Sequence, residues 1–330
     1  MTEPAPYPET RPRAATIRSR LVLQMADHLV GDQGWARKQV SVTLRRQGDE
    51  TSVVTLSGSD APEAVLAVAD GEVDLALVNP ATAARAALID AGWAGDLPVA
   101  SIATVPSYDQ MAFAVRSELG VRTLSELVDM RPKLSLSLRS QRDHAVHQFV
   151  RDSVAAAGFA LADIVRWGGS VHYDPGLPHL PERWPLIVGG ERDAVFDEGV
   201  YNWGEDLLRR GYTFLEIDDA SMSRLETRGY RRAVLSRERF PSLVNDVPTV
   251  DFSGFMICVR ADASDDLVTA FCESLLARRE LIPWQGGPAL PLDRMTSDAV
   301  DAPLGLPLHP AAAAFWRKAA SAPRPATDLL

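Results

Sequence analysis

The chain contains nearly the same phrase twice. "GEVDLALVN" begins at Gly71, and "GERDAVFDE" begins at Gly190. Each copy has Gly-Glu-x-Asp, a short apolar run and a polar residue where the run stops, and each is followed by a segment with helical spacing of its apolar residues. A turn that leads into a buried strand and then a helix is a building unit of α/β folds. The duplication therefore predicts two similar α/β lobes; chance recurrence of a common pattern is the alternative.

Strand-like and helix-like segments alternate along most of the chain. The run "VDLALV" is nearly all apolar, which is typical of a strand buried on both faces of a parallel sheet. The run "APEAVLAVADG" has proline in its first turn and glycine after its end, as helices do. The segment 168–185, "GGSVHYDPGLPHLPERWP", is rich in proline and is expected to be a long irregular loop. The pattern predicts an α/β fold with mostly parallel sheets flanked by helices.

Composition excludes several classes of protein. The chain has 330 residues, of which 46% are apolar, so it is long enough to bury a substantial core. Its net charge of −10 argues against a nucleic-acid partner, because phosphate binding needs a basic surface. No apolar run has the length of a membrane span, so no membrane insertion is expected.

The N-terminus and the two cysteines give weaker indications. Residues 1–15 combine prolines with mixed charges and are expected to be a disordered tail. No apolar signal segment is present in them, which predicts a cytoplasmic protein, or an exported one if the gene start is truncated. Cys258 and Cys272 fit no zinc pattern, and we expect two reduced, buried thiols, although spacing alone does not decide a disulfide.

Four stretches, taken in order, resemble a known family. They are "LSGSDAPEAVLAVADGEVDLALVNPATAARAALIDAG", "LSLSLRSQRDHAVHQFVRDSVAAAGF", "GERDAVFDEG", and "DFSGFMICVRADASDDLVTAFCESLL" with "PLHPAAAAFWRKA". Together they are similar to a type II periplasmic-binding-protein fold and, more narrowly, to the TAXI branch of TRAP-transporter solute receptors. The family usually begins with a strand and a glycine-rich, tyrosine-containing loop. Here the residues that follow the tail predict a helix from Thr16 instead.

The resemblance implies a two-lobed protein with a hinge between its lobes. Lobe 1 would comprise 16–106 and 256–330, and lobe 2 would comprise 107–255. A small molecule would be held in the cleft between them, without a cofactor, and a membrane transporter subunit would be a partner if the protein is exported. Enzymes built on this fold, including cytoplasmic lyases and decarboxylases, supply an alternative.

Polar residues before the first repeated helix are candidate ligand contacts. Ser57, Gly58, Ser59 and Asp60 precede the helix expected near Pro62. Free N–H groups and hydroxyls at a helix N-terminus suit a carboxylate or phosphate oxygen. Ordinary capping of the helix by Ser59 or Asp60 is the alternative.

Further candidates follow from their positions at strand ends. Asn79 ends the first repeated strand, and Thr82 lies in the next turn. Arg139 and Ser140 lie between a strand and a helix, where arginine could hold a carboxylate through two hydrogen bonds or simply be solvated. Tyr108 lies on a predicted crossover between lobes, where it would line the cleft or pack against it.

The second repeat ends in acidic residues. Asp197 and Glu198 follow its strand, and Trp203 lies one turn into the next helix. One carboxylate could pair with a ligand amine or hydroxyl, or act as a general acid or base; capping of the helix is the alternative. If the protein is an enzyme, Glu198 and His172 are the catalytic candidates. His144 and His147 share a helix face, but no third ligand lies nearby in the sequence, so no metal site is predicted.

The sequence thus leaves two main hypotheses. The first is a non-catalytic solute-binding protein that closes on a small molecule, expected to carry a carboxylate. The second is a cytoplasmic lyase or decarboxylase that acts on a small carboxylic acid, including aromatic ones. A cytoplasmic ligand-sensing partner protein is a third. The fold alone does not choose between them.

Overall fold

A computed structural model describes residues 21–26, 28–29, 39–46, 51–59, 61–93, 95–282, 284–287 and 289–321. The chain divides into two compact units, Met1–Val40 and Ser41–Leu330. The tail expected at 1–15 lies outside the described residues. In the segment expected to be helical from Thr16, residues 21–26 and 28–29 are helical. The boundaries expected for the two lobes stay a prediction.

Two five-stranded mixed sheets form the framework. The first has the order β1-β2-β3-β12-β4, and its members are β1 (Gln39–Arg45), β2 (Val53–Ser59), β3 (Leu75–Val78), β4 (Val99–Val105) and β12 (Phe255–Arg260). The second has the order β7-β6-β8-β5-β9, and its members are β5 (Ala112–Arg116), β6 (Ser135–Arg139), β7 (Ser170–Asp174), β8 (Ala194–Asp197) and β9 (Tyr212–Phe214). A separate hairpin pairs β10 (Arg232–Leu235) with β11 (Val247–Val250).

Helices cover both sheets. Those of the first half are α1 (Ala64–Ala69) and α2 (Ala81–Asp90), and those after the return to the first sheet are α9 (Asp265–Arg278), α10 (Leu292–Met295) and α11 (Pro310–Ser321). The second sheet is flanked by α3 (Glu126–Met130), α4 (Val146–Ala156), α5 (Leu161–Arg166), α6 (Trp184–Val188), α7 (Gly204–Leu208) and α8 (Asp219–Thr227). Short 3₁₀ turns lie at Ser117–Leu119, Val200–Asn202 and Arg279–Leu281. Each sheet thus has an apolar cluster on each face.

The α/β fold is confirmed, but the sheets are mixed rather than mostly parallel. Strand β2 runs parallel to β3, and β6 runs parallel to β7 and β8. Strand β12 is antiparallel to both β3 and β4, and β5 is antiparallel to both β8 and β9. The antiparallel strands are those by which the chain enters a sheet after crossing from the other one. These two strands, β12 and β5, run opposite to their neighbours, and the spacing of apolar residues does not indicate strand direction.

The repeated phrase has one structural role in both halves. Gly71 and Gly190 take φ values of +74° and +86°, the left-handed region that glycine enters at least cost. Asp74 donates its N–H to Thr55 O, and its carboxylate accepts the Thr55 N–H at 2.7 Å. Asp193 makes the same reciprocal pair with Ser135, also at 2.7 Å to the carboxylate. Each Gly-Glu-x-Asp therefore turns the chain and fastens the new strand to its parallel neighbour.

Candidate functional site

Two crossover segments run side by side between the sheets. Asp109 and Met111, on the forward crossover from β4 to β5, exchange backbone hydrogen bonds with Phe252 and Val250 on the return crossover. The Ser253 hydroxyl accepts the Asp109 N–H at 3.0 Å and donates to the Asp109 carbonyl at 2.9 Å. Because both segments are tied together, the residues that project from them keep fixed positions.

A cavity of about 500 Å³ opens beside the forward crossover. We call it the crossover cavity, and its lining includes aromatic, cationic and acidic side chains. The lining residues are Pro106, Ser107, Tyr108, Asp109, Gly199, Tyr201, Asn202, Arg239, Trp284, Gln285, Gly286, Arg294 and Asp301. Its volume lies within the range of about 300–1,000 Å³ that is typical of small-molecule sites.

Arg239 is exposed to solvent at the rim of this cavity, where two aromatic rings hold its guanidinium. Its guanidinium carbon lies 4.1 Å from the Tyr108 ring centroid and 4.9 Å from that of Tyr201. The two tyrosine rings are 5.7 Å apart, and the Tyr201 hydroxyl donates to Gln110 Oε1 at 2.5 Å. Within the described part of the chain, no carboxylate forms an ion pair with Arg239. Its N–H groups are therefore available to an anion.

Two further donors line the cavity. The indole Nε1 of Trp284 is buried and has no hydrogen-bond partner among the residues that the structure describes. Arg294 forms an ion pair with Asp301, so its charge is already compensated. Buried donors are normally satisfied, and Trp284 therefore marks a place where a ligand acceptor or a water molecule would gain a bond.

A pair of carboxyl groups links the cavity to the second sheet. Asp109 accepts the Gly199 N–H at 2.9 Å and 3.1 Å through its two oxygens, and the Gln110 N–H at 2.8 Å. Burial raises the pKa of Asp109 well above its ordinary value, and the charge of Glu198 together with a hydrogen bond between the two carboxyl groups raises it further. Two carboxyl groups in contact share a proton, because both cannot ionise cheaply.

A buried ion network lies behind this pair, at the carboxyl ends of β6 and β8. The Arg139 guanidinium donates to Asp197 at 2.8 Å and also to Glu198. Arg183, whose side chain is 0% exposed, pairs with the second oxygen of Asp197 and donates to Ser137 Oγ at 2.9 Å. Burial alone would raise the pKa of Asp197, but Arg139 and Arg183 outweigh it and hold that pKa below its ordinary value. Asp197 is therefore a buried structural anion with both oxygens occupied.

His144 is a neutral member of the same network. Its Nε2 lies 3.0 Å from Arg139 Nη1 and its Nδ1 lies 3.2 Å from the Val146 N, and a neutral ring accepts a hydrogen bond at only one of the two. Burial, and then the positive charge of Arg139, lower the pKa of His144 to about 3. An imidazole with this pKa stays uncharged near neutral pH. In the described ranges, no group of three or more His, Cys, Asp or Glu side chains is arranged to hold a metal ion.

The candidates before the first repeated helix lie mostly within a strand. Ser57, Gly58 and Ser59 belong to the end of β2, and they pair in parallel with Ala76–Val78 of β3. The Ser59 hydroxyl accepts the Ala61 N–H at 3.1 Å, a local turn contact. The helix begins at Ala64 rather than near Pro62. Asp60 lies outside the described residues.

Asn79 and Thr82 bind the return crossover. The Asn79 side-chain amide donates to Gly254 O at 3.2 Å, and the Thr82 hydroxyl contacts Asp251 O at 3.4 Å. Thr82 is buried, whereas Asn79 is partly buried. Both residues therefore hold the crossover in place, and a role in ligand contact stays a prediction.

The remaining predicted residues divide between the cavity and the framework. Tyr108 lines the crossover cavity, and its role in ligand contact stays a prediction. Trp203 is buried, and its indole donates to Glu198 O at 2.9 Å, so it supports the acidic end of the second repeat. Ser140 is exposed, and its N–H donates to Asp174 O at 2.8 Å.

The segment 168–185 is not one irregular loop. Residues Ser170–Asp174 form β7, an edge strand parallel to β6, and α6 begins at Trp184. His172 therefore lies on a strand, where its Nε2 is 2.8 Å from Ser170 Oγ. The prolines of this segment favoured the prediction of a loop, whereas β7 forms by pairing with β6, which is distant in the sequence.

Several residues of the site were missed by reasoning from sequence, and five of them matter most to its chemistry. They are Asp109, Arg183, Tyr201, Arg239 and Trp284. Arg183 and Arg239 each lie beside a glutamate, in "PERW" and "SRERF", and such runs are usually solvated. A tyrosine two positions after Gly199 was the best available signal, because it follows the repeated strand directly.

Cys258 and Cys272 are both free and buried, as expected. Burial raises the pKa of each thiol to about 12. They are inert thiols of the first sheet and α9. Among the described residues, no helix combines the length and the apolar character needed to cross a membrane.

Comparison with solved structures gives distant similarities. XAC2383 from Xanthomonas citri bound to chloride ion aligns with a TM-score of 0.38 at 12% identity, over 77% of this chain and 78% of that one. The glycine betaine/L-proline-binding protein ProX from Borrelia burgdorferi gives 0.34 at 14% identity, over 63% and 64%. The aliphatic sulphonate binding protein SsuA from Escherichia coli gives 0.33 at 14% identity, over 66% and 58%. The chain thus spans less than two thirds of the length of ProX and SsuA.

Searches for families and for characterised proteins give no match. No family model matches the sequence, and no curated protein matches it significantly.

Proposed function

We propose that the chain is a solute-binding protein that holds a small carboxylate-bearing molecule in the crossover cavity. The cavity has the volume of a small-molecule site, and its lining combines the rings of Tyr108, Tyr201 and Trp284 with a few polar groups. It lies against the forward crossover, beside the place where the two sheets are joined. A ligand there would contact segments from both halves of the fold.

The observation that carries this proposal is the state of Arg239. Two tyrosine rings position its guanidinium, and in the described residues no carboxylate neutralises it. A planar guanidinium presents paired N–H donors that match the two oxygens of a carboxylate. The indole N–H of Trp284, unpartnered among the described residues, adds a second donor in the lining.

Arg139, the arginine expected from sequence to hold the ligand, is less suited to that role. The Arg139 Nη2 already forms ion pairs with Asp197 and Glu198, and the Arg139 side chain is 9% exposed. A ligand carboxylate would have to displace a buried ion pair, whereas at Arg239 it meets a guanidinium without a carboxylate partner. The proposal therefore assigns recognition of the anion to Arg239 and support of the site to Arg139.

The test is a comparison of two arginine variants. Benzoate, a planar carboxylate, would be titrated into wild type, Arg239→Met and Arg237→Met, with intrinsic tryptophan fluorescence, to which Trp284 of the cavity contributes, as readout. Loss of a charge-assisted pair predicts a roughly ten- to hundredfold weaker Kd for R239M. R237M removes an exposed arginine two positions away and should leave Kd unchanged. Equal Kd values for the two variants, or no binding of any small carboxylate, would refute the proposal.

A narrower form of the proposal is a receptor of the TAXI type. Its support is the order of the four sequence stretches, and its partner would be a TRAP-transporter membrane subunit. Whether the protein works in the cytoplasm or outside it is tested by fractionating cells that express the tagged gene at its own locus. Recovery only with cytoplasmic markers would rule out the transporter role.

A second candidate function is catalysis, and one observation favours it. Glu198 contacts Asp109, which lines the cavity, so an acidic pair lies where a general acid or base would act on a bound carboxylic acid. A lyase or decarboxylase is the corresponding class. Glu198→Gln would then abolish turnover and preserve substrate binding. His172 is expected to be dispensable, because it lies on the edge strand and contacts Ser170.

A further inference from the structure

Asp109 has an unusual combination of partners. Its oxygens accept N–H groups of Gln110 and Gly199, its carboxyl touches that of Glu198, and its side chain faces the crossover cavity. No arginine or lysine forms an ion pair with it in the part of the chain that the structure describes.

The shared proton of the pair belongs on Asp109. Glu198 accepts a hydrogen bond from Arg139 and forms an ion pair with it. Asp109 has only neutral N–H donors, and burial together with the Glu198 charge raises the pKa of Asp109 well above its ordinary value. The wall of the cavity therefore presents a neutral carboxyl group at Asp109.

One other group on an element packed against Asp109 titrates between about pH 5 and pH 9. It is Asp251 on the return crossover, which is paired with Gln110 and whose pKa burial raises to about 6. Asp109→Asn keeps Asp251 and so serves as an internal control for it. Arg139, Arg239 and Arg294 stay cationic because a guanidinium does not titrate in proteins. Burial, and then Tyr108, raise the pKa of Tyr201 and keep it neutral, and His144, with a pKa of about 3, is also neutral. The charged groups that face Asp109 from the packed elements are Glu198 and Asp197 at the end of β8, Arg139 at the end of β6, and Arg239, Arg294 and Asp301 around the cavity.

We propose that Asp109 determines the specificity of the crossover cavity: as a neutral carboxyl group it admits a carboxylate ligand beside it, and as a carboxylate it rejects one. The inference rests on the proposed function, since it concerns the same ligand and the same cavity. A second negative charge in this small space would oppose the attraction of Arg239. For two unit charges about 8 Å apart at an effective dielectric constant of about 20, Coulomb's law gives a roughly thirtyfold weaker affinity.

The experiment measures the Kd of benzoate between about pH 5 and pH 9, a range in which benzoate stays ionised. Wild type should lose affinity roughly thirtyfold as Asp109 ionises, whereas Asp109→Asn should keep its low-pH affinity throughout. Asparagine retains an oxygen for the Gly199 and Gln110 N–H groups, so the crossover is conserved. Benzamide, which has the same ring without the charge, should bind wild type equally at every pH.

A second measurement needs no variant. In the window of about 1.5 pH units above the pKa of Asp109 in the free protein, binding of benzoate to wild type should take up as much as about 0.7 proton, seen by calorimetry in buffers of different ionisation enthalpy. The same pH dependence in D109N as in wild type, or binding without proton uptake, would overturn the role of Asp109 and leave the carboxylate site standing. Absence of benzoate binding at every pH would instead overturn the proposed function, and the inference with it.

Discussion

Replacing Arg183 with methionine removes one of the two guanidinium groups that hold buried Asp197. Arg183 pairs with Asp197, donates to Ser137 Oγ at 2.9 Å and donates to Gly176 O at 2.9 Å. Methionine fills much of the same volume with an apolar side chain. The change therefore tests the charge and its hydrogen bonds rather than the packing.

The expected loss of stability is large because Asp197 stays behind. Breaking a buried ion pair by removal of one partner costs about 3–5 kcal/mol, since the remaining charge is uncompensated. Here Arg139 and the Glu198 N–H still serve one oxygen of Asp197, so we expect the lower half of that range, about 3 kcal/mol, at pH 7. The double variant R183M/D197N should lose less free energy of unfolding than the sum of the losses of the single variants R183M and D197N.

The sign of the pH dependence follows from the pKa of Asp197. In wild type the pKa of Asp197 is lower in the folded chain than in the unfolded chain. The ionised carboxylate therefore stabilises the fold above its unfolded-state pKa, and this stabilisation is lost as the pH falls through its folded-state pKa. Without Arg183 the pKa of Asp197 rises. The variant then protonates Asp197 on acidification and recovers part of its deficit, which should be smaller near pH 4 than near pH 7.

The assay is urea unfolding followed by tryptophan fluorescence at both pH values. Arg209→Met is the control, because it removes an exposed arginine that pairs with Glu205 within one helix. A deficit of R183M no larger than that of R209M, or one that is independent of pH, would show that the buried network does not stabilise the fold.

Two further predictions concern packing and a buried acid. Burial raises the pKa of Asp251 to about 6. Between the ordinary pKa of aspartate and this value, the folded state binds more protons than the unfolded state. The free energy of unfolding should therefore fall by about 3 kcal/mol as the pH rises from about 4 to 6. Urea unfolding of Asp251→Asn should lack this loss, and equal pH profiles for it and wild type would contradict the assignment; Asp96→Asn, at an exposed site, is the control. Gly204→Ala would place a Cβ 2.7 Å from Val200 Cγ1 and 2.9 Å from Phe214 Cζ. Such overpacking predicts a loss of about 1–3 kcal/mol in the same assay, whereas Gly95→Ala, whose Cβ would meet nothing within 4 Å, should be neutral.

The repeated phrase made the architecture predictable. A glycine turn, an aspartate and an apolar run specify β3 and β8 locally, because Asp74 and Asp193 fasten each strand to its neighbour. Strand direction was less accessible. The antiparallel placement of β12 depends on where the chain returns from the second sheet, and no residue within the strand encodes that.

The site was predictable at strand ends and not beyond them. Arg139, Asp197 and Glu198 were each singled out at a strand end, and the structure brings them together because the parallel strands β6 and β8 end at one edge of a sheet. Their carboxylates turned out to pair with arginine rather than to stand open. Arg239 and Trp284 come from loops far along the chain, and only the tertiary fold brings them to Tyr108.

A crystal structure with a bromine-labelled carboxylate would test the central claim most directly. A crystal of the protein soaked with 4-bromobenzoate would locate the bromine by anomalous scattering. The account predicts one ordered molecule in the crossover cavity, with its carboxylate on Arg239 and its ring against the aromatic wall that includes Tyr108. A bromobenzoate whose carboxylate lies instead on Ser59 or Arg139, with the cavity filled only by solvent, would contradict it.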